Sequence, residues 1–183
     1  MKSGRQSACS MGVRLLSWAV IAICATSRPL AASPKPPPVA VFEFEMIDTS
    51  LEGSMNGPRD DEQARVKSIS DRLQRELTRS GEVQVIDTEA VRSKARSFHL
   101  QQCGGCDADF ARQIGARLSI TGTVQKVSNL ILNMSLYIRD ADSGRLLDAM
   151  NADMRGNTDE SWTRTLDWLV QNRLVPALQR IPR

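Results

Sequence analysis

The stretch NLILNMSLYIRD, residues 129–140, permits few structures. Leu130, Leu132, Met134, Leu136 and Ile138 recur at every second position, with Asn133, Ser135 and Tyr137 between them. Successive side chains of a strand point to opposite faces, so this period of two describes a strand with one buried face. The polar turn DADSG (140–144) and a second run, RLLDAMNADMRG, follow; Leu146, Met150, Ala152 and Met154 share a face there. Two strands joined by a short Gly-containing turn make a hairpin. The rest of the chain must supply an apolar surface to cover one side of it.

Candidates for that cover alternate along the chain. VAVFEFEM (39–46) reads as a strand with Ala40, Phe42, Phe44 and Met46 on one face and Glu43 and Glu45 on the other. The polar, Gly-rich segment 47–63 reads as a long loop, ending in acidic residues suited to a helix N-terminus. Val66, Ile69, Leu73 and Leu77 then fall at helical spacing, and Gly81 closes that helix. EVQVID (82–87) is a short strand. A second helix carries Val91, Ala95 and Phe98 on one side, and a third, shorter one carries Ala108, Ala111 and Ile114 and ends at Gly115. RLSITGTVQKV precedes the hairpin as another strand. In the final segment Asn157 and Glu160 form a capping-box-like start. Trp162, Leu166, Leu169, Val170 and Leu174 make an apolar stripe, which Pro176 ends. The order β-α-β-α-α-β-β-β-α predicts a single α/β domain over 39–183, with helices packed on a mixed sheet of about five strands.

The first 32 residues read as an address. Lys2, Arg5 and Arg14 precede the apolar run Leu15–Ala25, and small residues and prolines follow, the pattern of a secretory signal peptide. The run of 11 residues falls short of the roughly 20 that span a bilayer. Cleavage is expected after Ala32, with Ala25 as the alternative site and Met11 as an alternative start. Cys24 follows the bulky Ile23, which disfavours lipidation, so no membrane anchor is expected. SPKPPP (33–38) is a stiff tether. The leader holds four of the 24 basic residues and none of the 21 acidic ones. The mature chain therefore carries 20 basic against 21 acidic residues, a formal charge of −1, and offers no basic surface for nucleic acid.

Only Cys103 and Cys106 remain as thiols after the leader. In an exported chain they are expected to form a structural disulfide, with Gly104 and Gly105 allowing the tight turn. The alternative is a thiol–disulfide redox pair at a helix N-terminus. Asp107 and Asp109 oppose a thiolate there. A metal site built on His99, the two cysteines and a carboxylate has too few ligands of the right type. No catalytic motif or phosphate loop stands out, and neither cofactor nor metal is expected. Asn129, Asn133 and Tyr137 on or near the less apolar face of the long strand, with Trp168 on the last helix, are the candidate partner-binding surface. A small-ligand site under segment 47–63 is a third reading.

VFEFEMIDTSLEG, LQQCGGCDADFARQIGA, TGTVQKVSNLILNM and RGNTDESWTRTLDWLV resemble a family of exported bacterial proteins of unknown function. More distantly, Phe42–Phe44, Leu77–Gly81, Gly115–Val124 and Asp140–Gly144 follow a pattern shared by three envelope domains. These are the N-terminal domain of the Tol translocation protein, the penicillin-binding-protein activator lipoproteins and the curli secretion lipoprotein. The resemblance implies a non-enzymatic periplasmic domain that binds another envelope protein. It also points to an accessory role in quinoprotein alcohol oxidation.

Overall fold

The computed structural model describes residues 35–182; the expected leader and the first tether residues lie outside them. Five strands form one sheet among the described residues: β1 (Pro38–Asp48), β2 (Gln84–Ile86), β3 (Leu118–Ser128), β4 (Ile131–Asp140) and β5 (Leu146–Met154). Their order is β2-β1-β3-β4-β5, with β1 parallel to both neighbours and β3, β4 and β5 antiparallel. The helices are α1 (Leu51–Asn56), α2 (Asp60–Ser80), α3 (Glu89–Ala95), α4 (Cys106–Gln113), α5 (Asp159–Leu169) and α6 (Val175–Arg180). The mixed sheet with packed helices is the predicted class. Pro38, the last residue assigned to the tether, already pairs with Gln84 in the sheet.

Helices cover the two faces unequally. On the first face α2, α5 and α6 enclose the main core, in which Leu118, Ile120, Leu136, Ile138 and Trp162 are fully buried. A bidentate Arg72–Asp167 pair at 2.6 and 2.9 Å ties α2 to α5. On the second face α3 and α4 cover a smaller cluster around Phe42, Leu100 and Phe110.

β1 departs from simple alternation. Val41 pairs with Ile120 and Phe44 with Gly122, so Phe42 and Glu43 together oppose Thr121. This bulge breaks the expected common face: Ala40 and Phe42 join the second cluster, whereas Phe44 and Met46 pack with the first. Two α2 side chains satisfy the freed backbone. Ser70 Oγ accepts the Phe44 N–H at 2.9 Å, and the Gln74 amide donates to the Val41 carbonyl at 3.3 Å. Gly122 is required opposite, because a Cβ there would run into the Phe44 ring.

Other expectations change as well, and Leu130, expected on the buried face of the long strand, stands exposed in the turn before β4. Segment 47–63 is not a loop throughout: it holds α1 and the start of α2. In β5 an irregularity against Ile138 and Arg139 leaves Leu146 exposed and turns Leu147 toward the core. Thr158, not Asn157, caps α5, its hydroxyl accepting the Ser161 N–H at 3.2 Å. Pro176 does not end the last helix. Proline lacks an N–H and its ring crowds the carbonyl four residues back; a π-helical turn over Val170–Leu174 absorbs this and the chain continues as α6.

Candidate functional site

The CGGC stretch closes the connection between α3 and α4. Gly104 and Gly105 have φ of 73° and 111°, a region that favours glycine. Cys103 and Cys106 form a disulfide with Cα atoms 5.7 Å apart, within the ordinary range. Three strand carboxyl and hydroxyl groups hold the segment down. Glu43 takes a bidentate pair from Arg96 at 2.8 and 2.6 Å, Glu45 accepts the Leu100 N–H at 2.6 Å, and Gln101 reaches Thr121. The Arg96 hydrogen bonds hold the Glu43 carboxyl below its usual range. Burial pushes Glu45 up, against the opposing Leu100 N–H. His99 stands at the surface, with Nδ1 3.6 Å from Glu45.

Cys106 begins α4, so a free thiolate there would face a helix N-terminus. The next residue works the other way. Asp107 is buried; its carboxylate accepts from Ser119 Oγ at 2.6 Å and lies 3.2 Å from Arg139 Nε. Arg139 in turn donates to the Gly144 carbonyl at 2.9 Å. Asp107 thus pins the stapled helix start to β3 and β4 and sets negative charge beside the sulfur.

Under α1 lies a polar cluster that the sequence reading missed. Lys126 is fully buried, with Nζ 2.6 Å from Glu62, 3.0 Å from Glu52 and 3.3 Å from Asp48. Burial depresses an ammonium, but these three carboxylates outweigh it and hold Lys126 above the usual lysine range. Asn157 donates to Glu62 at 2.6 Å and accepts the Trp162 indole N–H at 2.9 Å. No residue of α1 is buried; the helix is held by the Ser50 cap and by Glu52 pairing with Lys126, Arg59 and Asn129. The signal was present in β3: Lys126 shares the parity of Leu118, Ile120 and Val124, an ionic group on an apolar face. The cavity beneath this segment is lined by Met46, Asp48, Gly53, Gly57, Pro58, Glu62 and Gln63; it is partly open and of mixed polarity, not a closed apolar pocket.

The candidate partner-binding residues fall in three places. Asn133 and Tyr137 lie on the second face of the sheet, where Asn133 donates to Asp153 at 2.9 Å and accepts from Ser135 at 3.0 Å. Asn129 is in the β3–β4 turn, 3.0 Å from Glu52. Trp168 is exposed on α5, across the sheet from Tyr137.

A mixed sheet with one deep and one shallow helical layer, and a stapled turn on the shallow side, defines a small α/β domain. The chain belongs to the DUF3280 family, described as "Protein of unknown function (DUF2380)", whose profile matches residues 37–174. No curated protein matches it. Among solved structures, the hypothetical protein CT253 from Chlamydia trachomatis is similar at 12% identity and a TM-score of 0.50, over 78% of this chain and 98% of that one. The LpoB C-terminal domain from Salmonella enterica gives 11% identity and 0.49, over 66% and 84%. TolB from Acinetobacter baumannii gives 14% and 0.45, over 81% of this chain and 29% of that one. Likeness at these identities concerns the fold alone. No helix among the described residues is long and apolar enough to cross a membrane.

Proposed function

We propose that this protein is an exported, periplasmic accessory domain that binds another envelope protein and performs no reaction of its own. The observation that carries the reading is the part of the second sheet face that α3 and α4 leave uncovered. Asn133, Ser135, Tyr137 and Asp153 stand there on rigid strands, three of them ordered by mutual hydrogen bonds. Polar donors and acceptors, with a single carboxylate, around one aromatic suit a protein surface, since aromatics anchor interfaces and polar groups fix register. The order of basic, apolar and small residues in 1–32 supports export, and the disulfide fits an oxidising compartment. An envelope quinoprotein is one class of partner that the family resemblance suggests.

A photo-crosslinking residue in place of Tyr137, in cells producing the full chain, tests this. We expect one discrete adduct to an envelope protein, lost on Asn133→Ala and absent when the crosslinker replaces the exposed Arg164. The same pattern from both positions would sink the reading.

The position of Cys106 at the start of α4 favours a second reading, a thiol–disulfide redox protein. A disulfide potential below about −300 mV marks a staple; a markedly higher potential with cycling thiols would make the redox reading the better one.

A further inference from the structure

Eight large apolar side chains are exposed among the described residues, and five of them gather in two neighbouring segments. Leu51 and Met55 lie four residues apart on α1, 76 and 74% exposed; Val127, Leu130 and Ile131 surround the β3–β4 turn at 51, 74 and 61%. Glu52 joins the segments by its bonds to Lys126 and Asn129, both at 3.0 Å. A groove continues the patch along the hairpin, lined by Leu130, Ile131, Leu132 and Met154 between Asp153 and Arg155.

Three features of this end point to its occupant. The five side chains present on the order of 500 Å² of apolar surface, near the upper end of what a monomer exposes in one patch. That is more than half of the ~800 Å² each partner contributes to a standard interface, enough for a small twofold contact. The charges behind the patch are matched internally: Lys126 and Arg59 are paired with Asp48, Glu52 and Glu62. The charges flanking the groove are not. Asp153 meets only the Asn133 amide, and Arg155 has no ion-pair partner among the described residues. An acid and a base two residues apart in the lining of an apolar groove are self-complementary about a twofold axis, the requirement of an isologous contact. We propose that this end of the sheet is the interface between two copies of the chain, with Leu130 and Ile131 of each entering the groove of the other. Asp153 of each copy then faces Arg155 of the other. This contact lies at the strand ends; it shares Asp153 with the edge of the proposed partner-binding face and leaves Asn133, Ser135 and Tyr137 free in the dimer.

Sedimentation of the processed chain purified from the periplasm, alone and with phosphatidylcholine–phosphatidylglycerol vesicles, tests the proposal. We expect a dimer whose dissociation constant rises at least tenfold in Leu130→Asp, with the far-UV spectrum unchanged. Arg155→Asp should weaken it by like charge, and the exchange Asp153→Arg with Arg155→Asp should restore it. A wild type that stays monomeric at roughly 100 µM, the range of weak contacts, overturns the proposal. So does a dimer indifferent to Leu130→Asp, or a monomer that binds vesicles through Leu130. None of these outcomes bears on the Tyr137 cross-link, so the two readings fail separately.

Discussion

On the first face of the sheet, α2, α5 and α6 enclose 24 buried apolar residues among those described, most of them Leu, Ile, Val, Met or Trp; on the second, α3 and α4 cover nine, of which five are alanine. Apolar burial contributes in proportion to area, so an alanine-rich layer gains little from it. The second face supplies other fastenings at the same places. The disulfide, the Glu43–Arg96 pair, the Leu100 N–H on Glu45 and the Asp107–Ser119–Arg139 bridge all hold α3, α4 or their connection to the strands. The disulfide therefore reads as a remedy for a thin layer, in keeping with a structural staple.

That contrast can be broken most strongly on the first face. Trp162→Ala should destabilise the whole domain by about 3–5 kcal/mol through its cavity, read as a fall in the urea midpoint with an unchanged slope. A comparable loss is expected where the first face meets its ionic end: Lys126→Met leaves the buried Glu62 with only the more distant Arg59 as cation, 3.8 Å away, at a cost of about 3–5 kcal/mol. Replacing Glu62 by Gln in the same chain should recover much of it, and a double-mutant cycle measures how much. If Lys126→Met were silent, the cluster would be incidental.

The second face should fail more gently and locally. Cys103→Ser with Cys106→Ser removes a very short loop closure, worth about 2 kcal/mol on the chain-entropy model. Hydrogen exchange should then rise across 96–113 while β3 and β4 stay protected. Exchange rising evenly through the domain would show that the two layers are one cooperative unit.

The smallest effect separates Glu43 from Glu45 by pH. Glu43 is held below its ordinary value of 4.5, so its contribution is complete above that value and is lost as pH falls through the lowered one. Burial raises Glu45 above 4.5. The folded state then binds its proton more tightly than the unfolded chain, and stability declines as pH rises from 4.5 through the raised value. Glu45→Gln should flatten that decline, and Glu43→Gln should soften the acid limb. Thermal melts between about pH 3 and 7, where carboxylates titrate, would show either.

Much of the second face was legible at the level of residue types and little at the level of geometry. The sequence showed that Cys103 and Cys106 flank two glycines before a helix, and that Glu43 and Glu45 interrupt an apolar strand. It did not show that these carboxylates receive Arg96 and the Leu100 N–H, because those partners lie 53 and 55 residues away in sequence. The candidate binding residues were legible one by one. Their separation into the sheet face, the turn and α5 depends on which side each element packs.

Local periodicity determined the elements by themselves: the β4–β5 hairpin, α2 with its Gly81 stop, and the α5 stripe with Trp162 inside and Trp168 outside. Each follows from the repeat of a backbone conformation, which nearby residues establish. Tertiary structure decided the rest. The bulge in β1 that sends Phe42 and Phe44 to opposite faces exists because Ser70 and Gln74 of α2 receive the displaced backbone and Gly122 leaves room for a ring. The burial of Lys126 needs three carboxylates from β1, α1 and α2 to arrive together. An ion is tolerated in an apolar core only when its partners are already in place, and that condition belongs to the assembled fold and to no single segment of the chain.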